Sequence, residues 1–258
     1  QDRAAQAAAQ APDLMDVHRV YGTVLQTAGN YRQSIEEFQK AADINPNLTF
    51  LYIQIGANYR RLRDIPRALA AFDRAAKIDA QLGIQDPTPY LSIGRTYLQD
   101  GEFFIAARNV EKALILDETN AETWGFLGIV YYKARNYESS VQVLKCAVDG
   151  CSQADSRSLI CQLILGCDPQ DPNDAVAAKH GQVVTGLPRD QKSVEIYYTY
   201  NSVLAFEGAC SDAERVAQQL VATYGGDPIV AGIVAQNRDL CLHPLTTPTP
   251  LALPTSTS

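Results

Sequence analysis

The side chains through which this chain could do chemistry are three histidines, six cysteines and 29 carboxylates. The histidines, His18, His180 and His243, fall one in each third of the sequence. No G-x-S-x-G elbow, H-E-x-x-H pair, phosphate loop or dinucleotide fingerprint accompanies them. A general base needs a nucleophile or substrate proton within hydrogen-bond reach, and no local spacing here supplies one. Glu36 and Glu37 read as the solvated face of a helix, and His18 as a packing residue. No catalytic residue and no cofactor is therefore expected, and the chain reads as non-enzymatic.

The cysteines carry more information. Cys146, Cys151, Cys161, Cys167, Cys210 and Cys241 all lie in the second half, four of them within 22 residues. There is no paired Cys-x-x-Cys unit, and His180 stands apart from them in sequence, so no metal site is expected. An even number of cysteines points to disulfides, although six allow 15 pairings; free thiols in a cytosolic protein are the alternative. Disulfides imply an oxidising compartment, and a chain numbered from Gln1 reads as a mature end left after removal of a signal sequence. The expected location is extracellular or at the cell surface, with the periplasm as the alternative.

Composition excludes several partners. The net charge is −7, with 16 basic and 18 acidic residues up to Gly150 and 6 and 11 after it. An acidic surface attracts neither nucleic acid nor an anionic membrane. No apolar run approaches the ~18 residues a spanning helix requires. Apolar residues make up 46% and charged residues 20%, the balance of a folded globular chain.

The elements that must position any site come from an internal repeat. The stretch WGFLGIVY (Trp124 to Tyr131) places a large ring, a Leu-Gly pair and a Tyr at helical spacing. Equivalent residues recur in four units. The first begins at Met15, with Tyr21-Gly22, Ser34, Phe38, Ala41 and Pro46; the second at Thr49, with Tyr52, Ile55-Gly56, Tyr59, Ala68, Phe72 and Ala75. The third begins at Pro87 after a four-residue insertion, with Tyr90, Ile93-Gly94, Tyr97, Ala106 and Ala113. The fourth begins at Ala121, with Trp124, Leu127-Gly128, Tyr131, Ser140, Leu144 and Ala147. Each unit predicts two helices joined by a short turn (TAGNY, RLRDI, QDGEF, KARNY), the glycine allowing the second helix close to the first. One hairpin cannot bury its apolar face alone, so the units must stack.

In these residues the chain resembles the tetratricopeptide-repeat family over roughly 15–148. The resemblance implies an all-α, right-handed superhelical solenoid whose first helices line a concave groove. It also implies that Arg19, Phe50, Ile53, Arg60, Leu91, Arg95, Leu98, Ile129, Tyr132 and Lys133 face a protein partner there. The family's clamp for a peptide carboxylate is not matched, because Arg19 and Thr23, then Ile53 and Ala57, stand at its Lys and Asn positions. An extended apolar segment with a few polar contacts suits the groove better.

Residues 1–14 read as a tail or short helix, 15–148 as four repeats and 149–192 as a cysteine-containing insert. Residues 193–241 read as a degenerate hairpin plus a capping helix, with Cys210 and Cys241 placed to staple it. Residues 242–258 form a Thr/Pro/Ser-rich tail whose hydroxyls could carry glycans, and NLT at 47–49 matches a glycosylation acceptor sequence, meaningful where the source cell glycosylates exported proteins. Stiff Pro-rich segments lose little entropy on docking, which makes Leu251 and Leu253 candidate ligands for the groove of another copy. Two functions follow as expectations: an exported protein that assembles with itself into a filament or surface layer, or a monomeric adaptor that holds other proteins in the groove.

Overall fold

The fold is an all-α array of antiparallel helical hairpins, given by a computed structural model that describes residues 2–11 and 13–243. It divides into two compact units, one ending at Pro188 and one beginning at Arg189. Leu251 and Leu253 lie outside the described residues.

In the first unit, α1 (Asp2–Gln10) packs on α2 (Met15–Thr27), which pairs with α3 (Tyr31–Ile44). The next hairpins are α4 (Thr49–Arg61) with α5 (Ile65–Leu82), α6 (Thr88–Asp100) with α7 (Phe103–Leu116), and α8 (Ala121–Lys133) with α9 (Tyr137–Asp149). Side-chain caps start several helices: Asp64 accepts from Arg67 N, Asn120 from Thr123 N and Asn136 from Ser139 N, each satisfying an orphan amide of the first turn. The turns within the hairpins share one left-handed position. It is held by Gly29 and Gly101 in two of them, and by Arg63 and Arg135, both at φ 61°, in the others.

The recurring glycines set the spacing inside each hairpin. A Cβ built on Gly128 would stand 2.3 Å from Leu144 Cγ, and one on Gly56 2.6 Å from the Phe72 ring. Ser34 and Ser140 use this closeness to donate to the carbonyls of Gly22 and Gly128 at 2.6 and 2.8 Å. The second helix of one hairpin then packs on the first helix of the next. Phe38, Ala41 and Ala42 of α3 share a core with Leu51 and Ile55 of α4, and Ala68 and Phe72 of α5 share one with Ile93 of α6.

After α9 the repeat gives way to a braced strap. Cys146 bonds to Cys151, which forms an antiparallel bridge with Val184 through two hydrogen bonds of 3.0 Å. Helix α10 (Gln153–Ile160) runs into a π-helical turn at Cys161–Leu165, closed by the Cys161–Cys167 disulfide. The returning chain is tied down by Ser156 Oγ donating to Gln182 O at 2.6 Å and Arg157 Nε to His180 O at 2.9 Å. Leu187 N donates to Ala147 O at 2.9 Å.

The second unit contains α11 (Val194–Phe206), α12 (Cys210–Tyr224) and α13 (Pro228–Leu242), each in contact with the other two. Here Asn201 stands where the other hairpins have glycine and Ala213 where two of them have serine, and the bond runs the other way: Asn201 Nδ2 donates to Ala213 O at 2.6 Å while its Oδ1 accepts from Asn237 at 2.6 Å. Cys210 and Cys241, with Cα atoms 5.7 Å apart, join the start of α12 to the end of α13 as the sequence suggested.

Candidate partner-binding groove

The first helices of the four hairpins, α2, α4, α6 and α8, carry the groove positions. On α2, Arg19 is half-buried and its Nε lies 3.0 Å from Asp16 Oδ1. Phe50, 41% exposed at the start of α4, meets the buried Phe38 edge to face at 6.5 Å. Ile53, Leu91 and Leu98 are half-buried, Ile53 packing on the Ala68, Phe72 and Ile93 core. These aliphatic faces are neither sealed in the core nor fully solvated.

Helices α4 and α6 also carry two cations, Arg60 and Arg95. The Arg95 guanidinium lies 4.6 Å from the centre of the Phe126 ring, and that of Arg60 lies 6.0 Å from the centre of Phe72. A guanidinium at this distance from an aromatic face is held by the ring quadrupole and by stacking. Among the described residues, neither Arg60 nor Arg95 has a carboxylate partner. Burial, then the charges of Arg95 and Arg61, depress the affinity of Arg60 for its proton below the usual arginine value. The two guanidiniums are therefore positive charges without a carboxylate partner among the described residues, which an anionic group would relieve.

At the fourth repeat, Tyr132 is half-buried with its ring 5.7 Å from Tyr137, and Lys133 is exposed. Burial, reinforced by Tyr137, raises the Tyr132 pKa. Ile129 departs from expectation. It is only 6% exposed, in a helix buried continuously from Thr123 to Tyr131, so it belongs to the core and offers no docking surface. An aromatic that sequence reasoning left out, Phe126, instead supports the groove from beneath Arg95. The available signal was its place two residues after Trp124 in WGFLGIVY, where it reads as one more apolar helix residue.

The histidines and carboxylates serve other ends. His18 Nδ1 is 2.6 Å from Glu37 Oε2, and Lys40 Nζ lies 2.7 Å from the other oxygen. Glu37 is buried, which corrects its reading as a solvated residue. Burial raises its pKa, but Lys40 and His18 together outweigh that and leave it lowered. Glu118, also buried, receives His180 Nδ1 at 2.5 Å and Gly181 N at 2.8 Å, anchoring the strap across 62 residues of sequence. His243 sits 3.1 Å from Asp239 on an exposed surface. The six cysteines form three disulfides, Cys146–Cys151, Cys161–Cys167 and Cys210–Cys241. Among the described residues, no group of three or more His, Cys, Asp or Glu could hold a metal ion, and no helix is long and apolar enough to cross a membrane.

Comparison with known proteins gives this geometry a family context. Residues 21–82 and 91–156 match the tetratricopeptide-repeat family model. Subunit 3 of the anaphase-promoting complex of Schizosaccharomyces pombe is 43% identical over 58 residues, which is 22% of this chain. The match spans only 9% of that relative's length. Among solved structures, PilF of Pseudomonas aeruginosa superposes with a TM-score of 0.61 at 15% identity, over 90% of this chain and 86% of its own. YrrB, a repeat protein with an unusual peptide-binding site, gives 0.54 at 10% identity, over 90% and 97%. The Cut9–Hcn1 hetero-tetramer gives 0.59 at 12% identity, over 91% of this chain and 38% of the other. At these identities the likeness shows the fold, a tetratricopeptide-repeat solenoid.

Proposed function

We propose that this chain, whose residues 21–82 and 91–156 are tetratricopeptide repeats, is a non-enzymatic adaptor. It is exported to the periplasm or cell surface and holds an extended segment of a partner protein in the groove. Repeat arrays of this kind present concave surfaces to proteins. The observation that carries the reading is the pair Arg60 and Arg95, without carboxylate partners among the described residues and on the same helices as the half-buried Ile53, Leu91 and Leu98. Aliphatic side chains beside carboxylates complement such a surface: apolar burial supplies affinity, and charge supplies orientation and on-rate. Three disulfides support an oxidising location.

The test is calorimetric titration with extended peptides that interleave leucine and glutamate, beside matched peptides carrying glutamine. Glutamate peptides should bind more tightly, lose affinity with added salt, and weaken about tenfold or more against Arg60→Glu/Arg95→Glu. Equal binding to the parent and the reversed protein would sink the groove assignment.

Self-assembly is a second reading, favoured by one observation. The last described helix leaves Ile229 and Leu242 68% and 76% exposed, where a repeat array needs a polar cap to stay soluble. Sedimentation of the full chain over a range of concentrations separates the two. A single monomeric species favours the adaptor, and concentration-dependent growth that Ile229→Lys suppresses favours assembly.

A further inference from the structure

We propose a second docking site, separate from the groove, for a partner-protein segment that carries aliphatic side chains beside carboxylates. It is a hollow of about 420 Å³ between α6, α7 and the π turn, with Ile115 and Leu116 of α7 and Ile164 and Leu165 of the turn in its lining. Tyr90, Arg108, Glu111 and Lys112 complete the wall.

The turn that builds this wall is of an unusual kind. A π turn is rare and concentrates at functional sites. Here it is closed by Gly166 N donating to Cys161 O at 2.7 Å, by a left-handed Gly166 at φ 68° and by the Cys161–Cys167 disulfide. The result is to hold Ile164 half-buried and Leu165 38% exposed beside α7 rather than inside a core. The apolar surface continues along α7. Phe104 and Ile105 are 77% and 43% exposed, and residues 104, 108, 112 and 115 follow one another at spacings that share a helix face.

Charge decides the occupant. Lys112 lies over the Tyr90 ring at 5.7 Å and has no carboxylate partner among the described residues. Arg108 contacts Glu111 through Nη1 at 3.1 Å, but its side chain is 71% exposed. Glu111 also lines the hollow, buried and taking the Tyr131 hydroxyl at 2.9 Å on its other oxygen, so it offsets Arg108 and leaves Lys112 as the rim cation without a carboxylate. An aliphatic floor with a cationic rim fits apolar residues flanked by Asp or Glu and repels basic segments. Hollows of ~300–1,000 Å³ with mostly apolar linings and few polar groups are ordinary recognition sites.

Because the groove is also cationic, the test uses the full chain carrying Arg60→Glu/Arg95→Glu, which disables the groove and leaves the hollow intact. The probe is a labelled peptide of alternating leucine and glutamate pairs, followed by fluorescence anisotropy, with circular dichroism as a check on folding. Saturable binding to the groove-disabled protein is expected, weakened about tenfold by adding Lys112→Glu and similarly by Leu165→Asp, both surface changes. The same peptide with glutamine for glutamate should bind more weakly. The proposal is overturned if the groove-disabled protein does not bind, if binding survives both substitutions, or if the glutamine peptide binds equally. It is also overturned if anionic phosphatidylglycerol vesicles bind through Lys112 while the peptide does not.

Discussion

Asp79 is 3% exposed near the end of α5, and neither of its carboxylate oxygens has a hydrogen-bond partner among the described residues. Burial, with the Asp86 charge adding to it, raises its pKa above the ordinary 3.8, although the nearby Thr49 hydroxyl offsets part of the effect. A raised folded-state pKa means that the folded chain keeps a proton the unfolded chain releases. Stability is then full below 3.8 and is lost as pH rises through the folded-state value. Asp79→Asn should therefore stabilise the protein by about 1 kcal/mol at pH 7. In denaturant melts across pH, that advantage should shrink towards zero below the ordinary aspartate value; an unchanged advantage in acid would refute the account. Nothing in the local sequence marks this residue. Its burial comes from tertiary packing at the end of a helix that runs past the usual repeat length. The burial of Glu37 departs from the sequence expectation for the same reason: its partner His18 lies 19 residues away, and only the fold brings them together.

At the scale of elements, the hairpin is the unit of stability, and its parts make separable predictions. Arg63 and Arg135 occupy the left-handed turn position where two sister hairpins have glycine. Because a side chain there is strained, Arg135→Gly should stabilise by about 0.5–1 kcal/mol despite the greater freedom of unfolded glycine. Gly128→Val should cost about 2 kcal/mol, because Leu144 cannot retreat from a Cβ 2.3 Å away without moving a helix. Both effects can be read as shifts in urea midpoint at constant slope. The repeats were legible because glycine, alanine and tyrosine sit where packing leaves little choice. The strap was not. Its brace from Glu118 to His180 and Gly181 crosses the repeats, and its π turn has no periodic signature. Helical spacing marks Ile53, Leu91 and Leu98 as residues outside the sealed core, and they are half-buried, but it does not mark the burial of Ile129. Helical spacing sets a direction on α8, whereas exposure depends on what other segments cover it.

For the whole molecule, the disulfides are concentrated where the regular repeats end. Cys210–Cys241 closes a separation of 31 residues and ties the last two helices, while the other two bonds span 5 and 6. If the cross-link acts mainly by restricting the unfolded chain, Cys210→Ser/Cys241→Ser should cost about 3–4 kcal/mol, against about 2 for Cys161→Ser/Cys167→Ser. Comparable losses from both would contradict that mechanism. The second half, with 6 basic and 11 acidic residues, carries most of the net negative charge, whereas Arg60 and Arg95 lie in the first half, stacked on Phe72 and Phe126. The central claim is that the groove receives an aliphatic–acidic segment, and methyl NMR of the full chain titrated with the leucine–glutamate peptide tests it most directly. The account predicts saturable shifts at the methyls of Ile53, Leu91 and Leu98 that Arg60→Glu/Arg95→Glu abolishes. Binding that leaves those three methyls unmoved would contradict it.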